Sequence, residues 1–359
     1  MKKKDDYSEF IKMSLDNFSF ENYNFGSKWM AILKNVNNYE LILKNLKNFR
    51  RTPLIIGDHY PATLLSNFFE LYYLKLFIKH PFKFIYDYIY ERLPFSLMHR
   101  KMIKDQLKIL INEGATEIIK NFPVSETPGN PHYFKYNNLY VNERALKHYY
   151  YLNIISKYIP SEIKNGNIKT VLDIGGGYGF YNALFKNIYP KTTQILVDFP
   201  HQLIFAYYFF KEKYPKAKIL DVRNLNKYEL SYEELLKYDF VLIPTNKIDS
   251  LKKDTIDLVC NFFSFGEMTR GVFESYLDSD FYKTSKYQFL CNRYESSPYF
   301  EKTYDNDLTI LDYKIKKDKI IYFSTFPLHR YYIKRKYNIF AEKGIFSSNY
   351  FLYLGKNNN

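Results

Sequence analysis

One seven-residue run constrains this chain more than any other: Asp173-Ile174-Gly175-Gly176-Gly177-Tyr178-Gly179. It overlaps Thr170-Val171-Leu172-Asp173-Ile174, which reads as a buried strand, and leads into Phe180 to Ile188, which reads as a helix. Glycines without Cβ let the backbone turn sharply out of a strand and come close to a ligand. The next strand, Gln194-Ile195-Leu196-Val197-Asp198, closes on an acid about twenty residues further on, where a ribose diol would find its acceptor.

Strand and helix patterns keep alternating after that pair. A helix is expected from His201 to Lys213, strands near 218–220, 240–243 and 257–261, a helix over 270–277 and a strand over 287–292. Such alternation predicts an α/β fold, a parallel sheet with helices on both faces and its ligand crevice at the carboxyl ends of the strands. Ahead of it, Phe122-Pro123-Val124-Ser125-Glu126-Thr127-Pro128-Gly129-Asn130-Pro131 is dense in turn formers and reads as a boundary or an active-site loop. A helix from Glu143 to Ile159 follows it.

The glycine run fits a dinucleotide site poorly. The third fingerprint glycine would fall at Phe180, which implies looser helix–strand packing than a pyrophosphate site uses. Asp173, two residues before Gly175, suits a ligand that presents an ammonium and is awkward beside a pyrophosphate. No Gly-Lys-Ser/Thr follows, so a Walker loop is excluded. The acid-x-Gly-x-Gly-x-Gly pattern of Asp173, Gly175, Gly177 and Gly179 resembles motif I of the class I S-adenosylmethionine-dependent methyltransferases. That resemblance implies a Rossmann-like, seven-stranded sheet with its last strand antiparallel. It also implies S-adenosylmethionine as cofactor, held by Asp173, Gly175, Gly176, Gly177, Asp198 and Phe199. Gly129-Asn130-Pro131, Val197-Asp198-Phe199-Pro200, the run from Asp257 to Met268 and Cys291-Asn292-Arg293 are similar to the sugar O-methyltransferases of bacterial surface-glycan loci, over roughly positions 125–300. The implied reaction is methyl transfer to a sugar hydroxyl of a glycan or its precursor, such as a nucleotide-sugar.

An alcohol acceptor must lose a proton, so a base is expected beside the methyl group. Glu267 is the first candidate, because Ser264-Phe265-Gly266-Glu267 follows the strand over 257–261; as a helix N-terminal acid it would be structural instead. His329 and His132 are the histidine candidates. Asn261 is expected beside the cofactor, and Asn130 and Arg293 beside the acceptor, Arg293 as a clamp on a phosphate or a hydroxyl pair. Tyr133, Phe134, Tyr136, Tyr140, Tyr294 and Tyr299 flank these loops and suit sugar C–H faces. No carboxylate cluster with metal spacing accompanies them.

Residues 1–140 read as a mostly helical N-terminal region, an acceptor cap or oligomerisation element, and 141–359 as the cofactor-binding domain. The stripe Leu65, Phe68, Phe69, Tyr72, Tyr73, Leu76, Phe77 reads as a packed face; with Lys75 and Lys79 reaching to headgroups it would make a peripheral membrane contact. Pro53, Gly57 and Pro94 read as turns. Charges interrupt every long apolar stretch, so neither a spanning helix nor a signal peptide is expected, and Cys260 and Cys291 lack CxxC spacing. A cytoplasmic location, at most peripheral to the inner face of the membrane, follows. The net charge of +14 would suit a nucleic-acid partner. Against a nucleic-acid methyltransferase, Asn261 is followed by Phe262-Phe263 and not by the Pro-Pro turn of enzymes that methylate base amino groups. A non-catalytic module that keeps the fold is the other alternative.

Overall fold

The computed structural model describes residues 2–16, 38–52, 93–225, 230–296, 307–329 and 348–357, together with 78, 81–82, 331–333 and 344–346. Its centre is an eight-stranded sheet. The strands over the glycine run and its successors are β3 (Thr170–Ile174), β4 (Thr193–Asp198), β5 (Ile219–Leu220), β6 (Phe240–Pro244), β7 (Leu258–Phe262) and β8 (Tyr287–Arg293). Late in the chain come β11 (Ile320–Thr325) and β14 (Tyr350–Lys356), while β9 (Glu295–Ser296) with β10 (Leu308–Thr309) and β12 (Tyr331–Ile333) with β13 (Gly344–Phe346) form two small separate sheets. The spatial order is β11-β14-β8-β7-β3-β4-β6-β5, with β14 antiparallel to both its neighbours and the other pairs parallel. This is a Rossmann-like α/β sheet with the antiparallel late strand that the resemblance implies and one strand more: the two-residue β5 adds an outer edge beyond β6.

The helices follow from local signals. Eleven α-helices lie among the described residues: α1 (Lys2–Asp16), α2 (Tyr39–Asn45), α3 (Leu93–Asn112), α4 (Thr116–Asn121), α5 (Glu143–Tyr158), α6 (Pro160–Lys164), α7 (Phe180–Ile188), α8 (Pro200–Lys213), α9 (Tyr232–Leu235), α10 (Arg270–Asp278) and α11 (Asp280–Thr284). Asn142 caps α5 by accepting from Ala145 N at 2.8 Å, and Pro200 opens α8 where its missing N–H leaves nothing unsatisfied. Pro94, expected as a turn, also lies in the first turn of a helix, α3, for the same reason. The stripe from Leu65 to Phe77, Pro53 and Gly57 lie outside the described residues.

Residues of β3, β4 and β7 are buried along their whole length, because helices cover both faces. The two-residue period then divides β3: Val171 packs with the core shared by α5, α7 and α8, and Leu172 and Ile174 with the core of the other face. The first core also takes in Phe10 of α1, Ile42 of α2, Phe49 and Leu107 of α3, so the described N-terminal segments pack on the same apolar mass as the sheet. At the amino ends, buried Asp257 accepts from Lys169 N at 2.7 Å and Thr170 N at 3.0 Å and pairs with Lys286 at 2.6 Å, stitching β3 to β7.

The turn-rich stretch before α5 holds more order than its composition suggests. Strands β1 (Phe134–Tyr136) and β2 (Leu139–Val141) form a hairpin whose turn residues Asn137 and Asn138 both have positive φ, the conformation tight hairpins need and asparagine tolerates. Among the described residues no helix is long and apolar enough to cross a membrane.

Candidate active site

The chain leaves β3 toward β4 on one side and returns through β7 on the other, so a crevice opens at the carboxyl end of β3. The glycine run lines it. Gly175 has φ +75°, and a Cβ there would stand 2.3 Å from Ser264 Oγ. Gly179 has φ +78°, and its Cβ would stand 2.3 Å from the Phe210 ring. The looser packing expected from Phe180 is therefore not what the structure shows: the close approach is made at Gly179 against α8, one residue earlier, and Phe180 is buried.

Two carboxylates stand in this crevice in different states. Asp198 ends β4 and accepts from Gly177 N at 2.7 Å through Oδ2 and from Phe199 N at 2.7 Å through Oδ1. Burial pushes it up to about 6, while those two N–H groups and Arg144 pull against the rise. Asp173 is 1% exposed, and among the described residues neither of its oxygens has a hydrogen-bond partner. Burial, then the charge of Asp198, pushes its carboxyl up to about 8. A buried carboxyl without a donor is costly when ionised.

Asn261, at the end of β7, is fully buried. Its Nδ2 donates to Ile174 O at 2.8 Å and to Ser264 Oγ, and its Oδ1 accepts from Phe265 N at 3.2 Å and Asn292 Nδ2 at 2.9 Å. The amide thus positions Ser264 under Gly175 and ties three strand ends together. Phe263, the first residue past β7, has φ +69°, a strained conformation for a bulky residue and one that clusters at functional sites.

Phe263 belongs to an aromatic patch. Its ring lies 4.4 Å from Tyr350 and 5.6 Å from His329, and His329 lies 4.2 Å from Tyr350. Burial and the charges of Lys147 and Arg293 push His329 down to about 4, opposed by Glu143, so its imidazole is neutral at neutral pH. His329 thus shares one patch with Phe263 and Tyr350, and Arg293 reaches the same tyrosine: Arg293 ends β8 and its Nε donates to the Tyr350 hydroxyl at 2.9 Å. Glu267 closes a single turn, Phe265–Glu267, with its N–H on Ser264 O at 3.0 Å. His132 lies just before the hairpin, its carbonyl accepting from the α5 cap Asn142 at 3.0 Å. Asn130 is occupied elsewhere: its Nδ2 donates to Asn48 Oδ1 at 2.8 Å and its carbonyl accepts from Arg51 at 2.7 Å, which joins this loop to the N-terminal segment. Tyr133 and Tyr140 pack against each other at 5.6 Å, whereas Tyr299 lies outside the described residues.

Sequence reasoning missed the first turn of α5. Arg144 holds its guanidinium 5.2 Å from the Tyr178 ring and faces Gly177; Lys147 sits 5.3 Å from the Phe263 ring and bonds Glu143 at 2.8 Å. Arg50 is a second surprise. Fully buried, it donates to Thr127 Oγ1 at 2.6 Å and lies 5.0 Å from the same Tyr178 ring. Arg144 and Lys147 share a helix with a good cap, but nothing local tells that its start faces the glycine run.

Comparison with known proteins adds the following. No family model matches the sequence, and no curated protein sequence matches it. Solved structures do overlap it. PKMT2 from Rickettsia typhi, solved with AdoHcy, is 16% identical, at a TM-score of 0.25 over 36% of this chain. The mitomycin 7-O-methyltransferase MmcR is 12% identical, at 0.25 over 42%, and the bifunctional kinase-methyltransferase WbdD 13% identical, at 0.32 over 57%. The chain spans 22%, 39% and 38% of those three proteins respectively. At such scores none of them bears on what this crevice accepts.

Proposed function

We propose that the protein is an S-adenosylmethionine-dependent O-methyltransferase whose acceptor is a sugar hydroxyl of a surface glycan or its precursor. One observation carries the cofactor half: buried Asp173, without a donor, stands one strand away from Asp198, whose carboxylate already pins Gly177 and Phe199. The residues fit the group. A carboxylate has about four lone-pair sites, so Asp198 keeps acceptor capacity for two ribose hydroxyls after taking two N–H groups. Asp173 would pair with the ammonium, Arg144 with the carboxylate of the methionine portion, and Phe199 with the adenine face. Gly175 and Gly177 leave room that a side chain would fill, and Asn261 holds the floor.

When bound, the sulfonium supplies an electrophilic methyl group with a neutral thioether as its leaving group. The protein's own share is alignment, exclusion of water and removal of one proton. His329 takes the hydroxyl proton, since its imidazole is neutral and its ring packs with those of Phe263 and Tyr350, at the end of the sheet where the chain leaves β7 and enters β14. Glu267 is the alternative base. Aromatic rings around the crevice suit a sugar face, and the resemblance over roughly 125–300 supports the same acceptor class. The N-terminal region 1–140 would cap it, and the acceptor would be met in the cytoplasm or at the inner face of the membrane. A nucleic-acid acceptor is disfavoured because the Asn261 amide is turned into the sheet.

Thermal melting with S-adenosylmethionine, S-adenosylhomocysteine and NAD tests the cofactor, since a ligand selective for the folded state must raise the melting temperature. Stabilisation by NAD alone would overturn the reading. Mass spectrometry of surface glycan from cells with and without the gene then tests the acceptor, a missing methyl increment naming the product.

A further inference from the structure

The loop at Gly129 and Asn130 grips the N-terminal segment on four successive residues, Asn48 to Arg51. Asn130 Nδ2 donates to Asn48 Oδ1 at 2.8 Å, the Arg50 N–H donates to Gly129 O at 3.2 Å, and Arg51 Nε donates to Asn130 O at 2.7 Å. Gly129 has φ +90°, and a Cβ there would stand 2.3 Å from the Phe49 ring and 2.8 Å from Arg50 Cδ, so glycine lets the two segments touch. What this clasp holds meets the glycine run. The Phe49 ring packs edge-on to Tyr178 at 5.3 Å and stacks on Phe205 of α8 at 5.1 Å. The Arg50 guanidinium donates to Thr127 Oγ1 and lies over the Tyr178 ring at 5.0 Å and the Phe180 ring at 5.6 Å, while Arg144 of α5 lies over Tyr178 at 5.2 Å. Tyr178 is fully buried between Gly177 and Gly179, at φ +64° and +78°. In surroundings packed this closely a shift of the ring is passed to the turn, and with it to the Gly177 N–H that donates to Asp198. A guanidinium fixes a ring more narrowly than apolar packing does, because its hydrogen bond is directional and its charge favours the ring face.

Resting on the methyl-transfer reading, we propose that Phe49 and Arg50 are positioning residues of the donor site. The segment that Gly129 and Asn130 clasp sets the Tyr178 ring, and through it the turn from Gly175 to Gly179 that receives the cofactor. The N-terminal segment is then a component of the donor site, beyond any cap it forms over the acceptor. Linkage makes the coupling reciprocal: a cofactor seated on the turn strengthens the clasp by the same factor as the clasp strengthens cofactor binding.

The test titrates the full chain with S-adenosylhomocysteine by calorimetry and follows amide hydrogen exchange with and without it. Arg50→Met, which keeps the stem and loses the charge, should weaken binding roughly three- to thirtyfold, and Arg50→Lys, which restores a cation, should recover part of that loss. In a Tyr178→Leu background Arg50→Met should add little, since the two act as one unit. Ile163→Ala, a buried truncation in α6 past the far end of α5, should lower the melting temperature and leave affinity unchanged. In the wild type, the Arg50 amide should exchange more slowly once S-adenosylhomocysteine is bound, a measurement that stands even if Arg50→Met does not fold. Without ligand, the Gly177 amide should exchange faster in Arg50→Met than in the wild type, with the Leu172 amide of β3 unchanged. Wild-type affinity in Arg50→Met, losses of the same size in Ile163→Ala, an undiminished effect in the Tyr178→Leu background, or an Arg50 amide that ignores the ligand overturns the proposal. Failure of the wild type to bind S-adenosylhomocysteine overturns the methyl-transfer reading instead. The ligand-free exchange of Gly177 then decides whether Arg50 holds the turn.

Discussion

The backbone N–H of Gly177 donates to Oδ2 of Asp198 across 2.7 Å, so the acid that ends one strand holds the loop that leaves its neighbour. Asp198 therefore shapes the crevice before any ligand arrives. Its other oxygen does the same for Phe199. Asp198→Ala should remove two loop anchors and the ribose acceptor together, weakening S-adenosylhomocysteine binding by about 1.5–3 kcal/mol for each charged hydrogen bond lost. Calorimetry decides this; wild-type affinity in the variant would remove Asp198 from the cofactor site.

Cofactor affinity should depend on pH through Asp173. With its carboxyl pushed up to about 8, Asp173 is protonated at neutral pH, and pairing with the proposed ammonium would expel that proton. Affinity should rise with pH up to about 8. Beyond that it should fall, as the ligand's own α-amino group, of ordinary value about 7.7–8.0, loses its charge. The sign for folding is opposite: the raised value favours the neutral form in the fold, so Asp173 lowers stability as pH climbs from about 4 toward 8. Asp173→Asn should thus melt higher than wild type at neutral pH and lose the rising limb of affinity. A variant that melts lower and binds equally well would contradict both halves.

Two glycine replacements should part company. Gly175→Ala forces a Cβ to within 2.3 Å of Ser264 Oγ at φ +75°, so it should abolish cofactor binding by displacing the turn. Gly271 in α10 meets nothing within 4 Å, and Gly271→Ala should stabilise the protein by up to about 1 kcal/mol. Urea unfolding and a cofactor titration on each variant measure the contrast.

The proton acceptor can be assigned by parallel substitution once a turnover assay exists. His329→Gln should lower turnover by about 10²–10⁴-fold with cofactor affinity retained. Glu267→Gln should have little effect if Glu267 only closes its turn. A large loss in Glu267→Gln and none in His329→Gln would exchange the two roles, and activity in both, with His132→Gln active too, would leave alignment and desolvation to carry the reaction.

From residues alone, the alternation after Thr170 determined the sheet class. The ends of β3 and α7 are legible there to the residue, since strand period, glycine run and helix period are all local properties. Asp173, Asp198 and the glycines were legible for the same reason: they lie within one strand–turn–helix–strand unit. Their states were not. That Asp173 lacks a donor while Asp198 holds two N–H groups depends on how β4 lies against β3, with Asp173 in register with Leu196. The patch proposed to meet the acceptor is more distant still. Lys147, Phe263, Arg293, His329 and Tyr350 come from five separate segments, and only the antiparallel placing of β14 beside β8 sets Tyr350 against Arg293. No local period records such a meeting, because it is fixed by the order of strands across the sheet and by the apolar mass that seats α5 over their carboxyl ends.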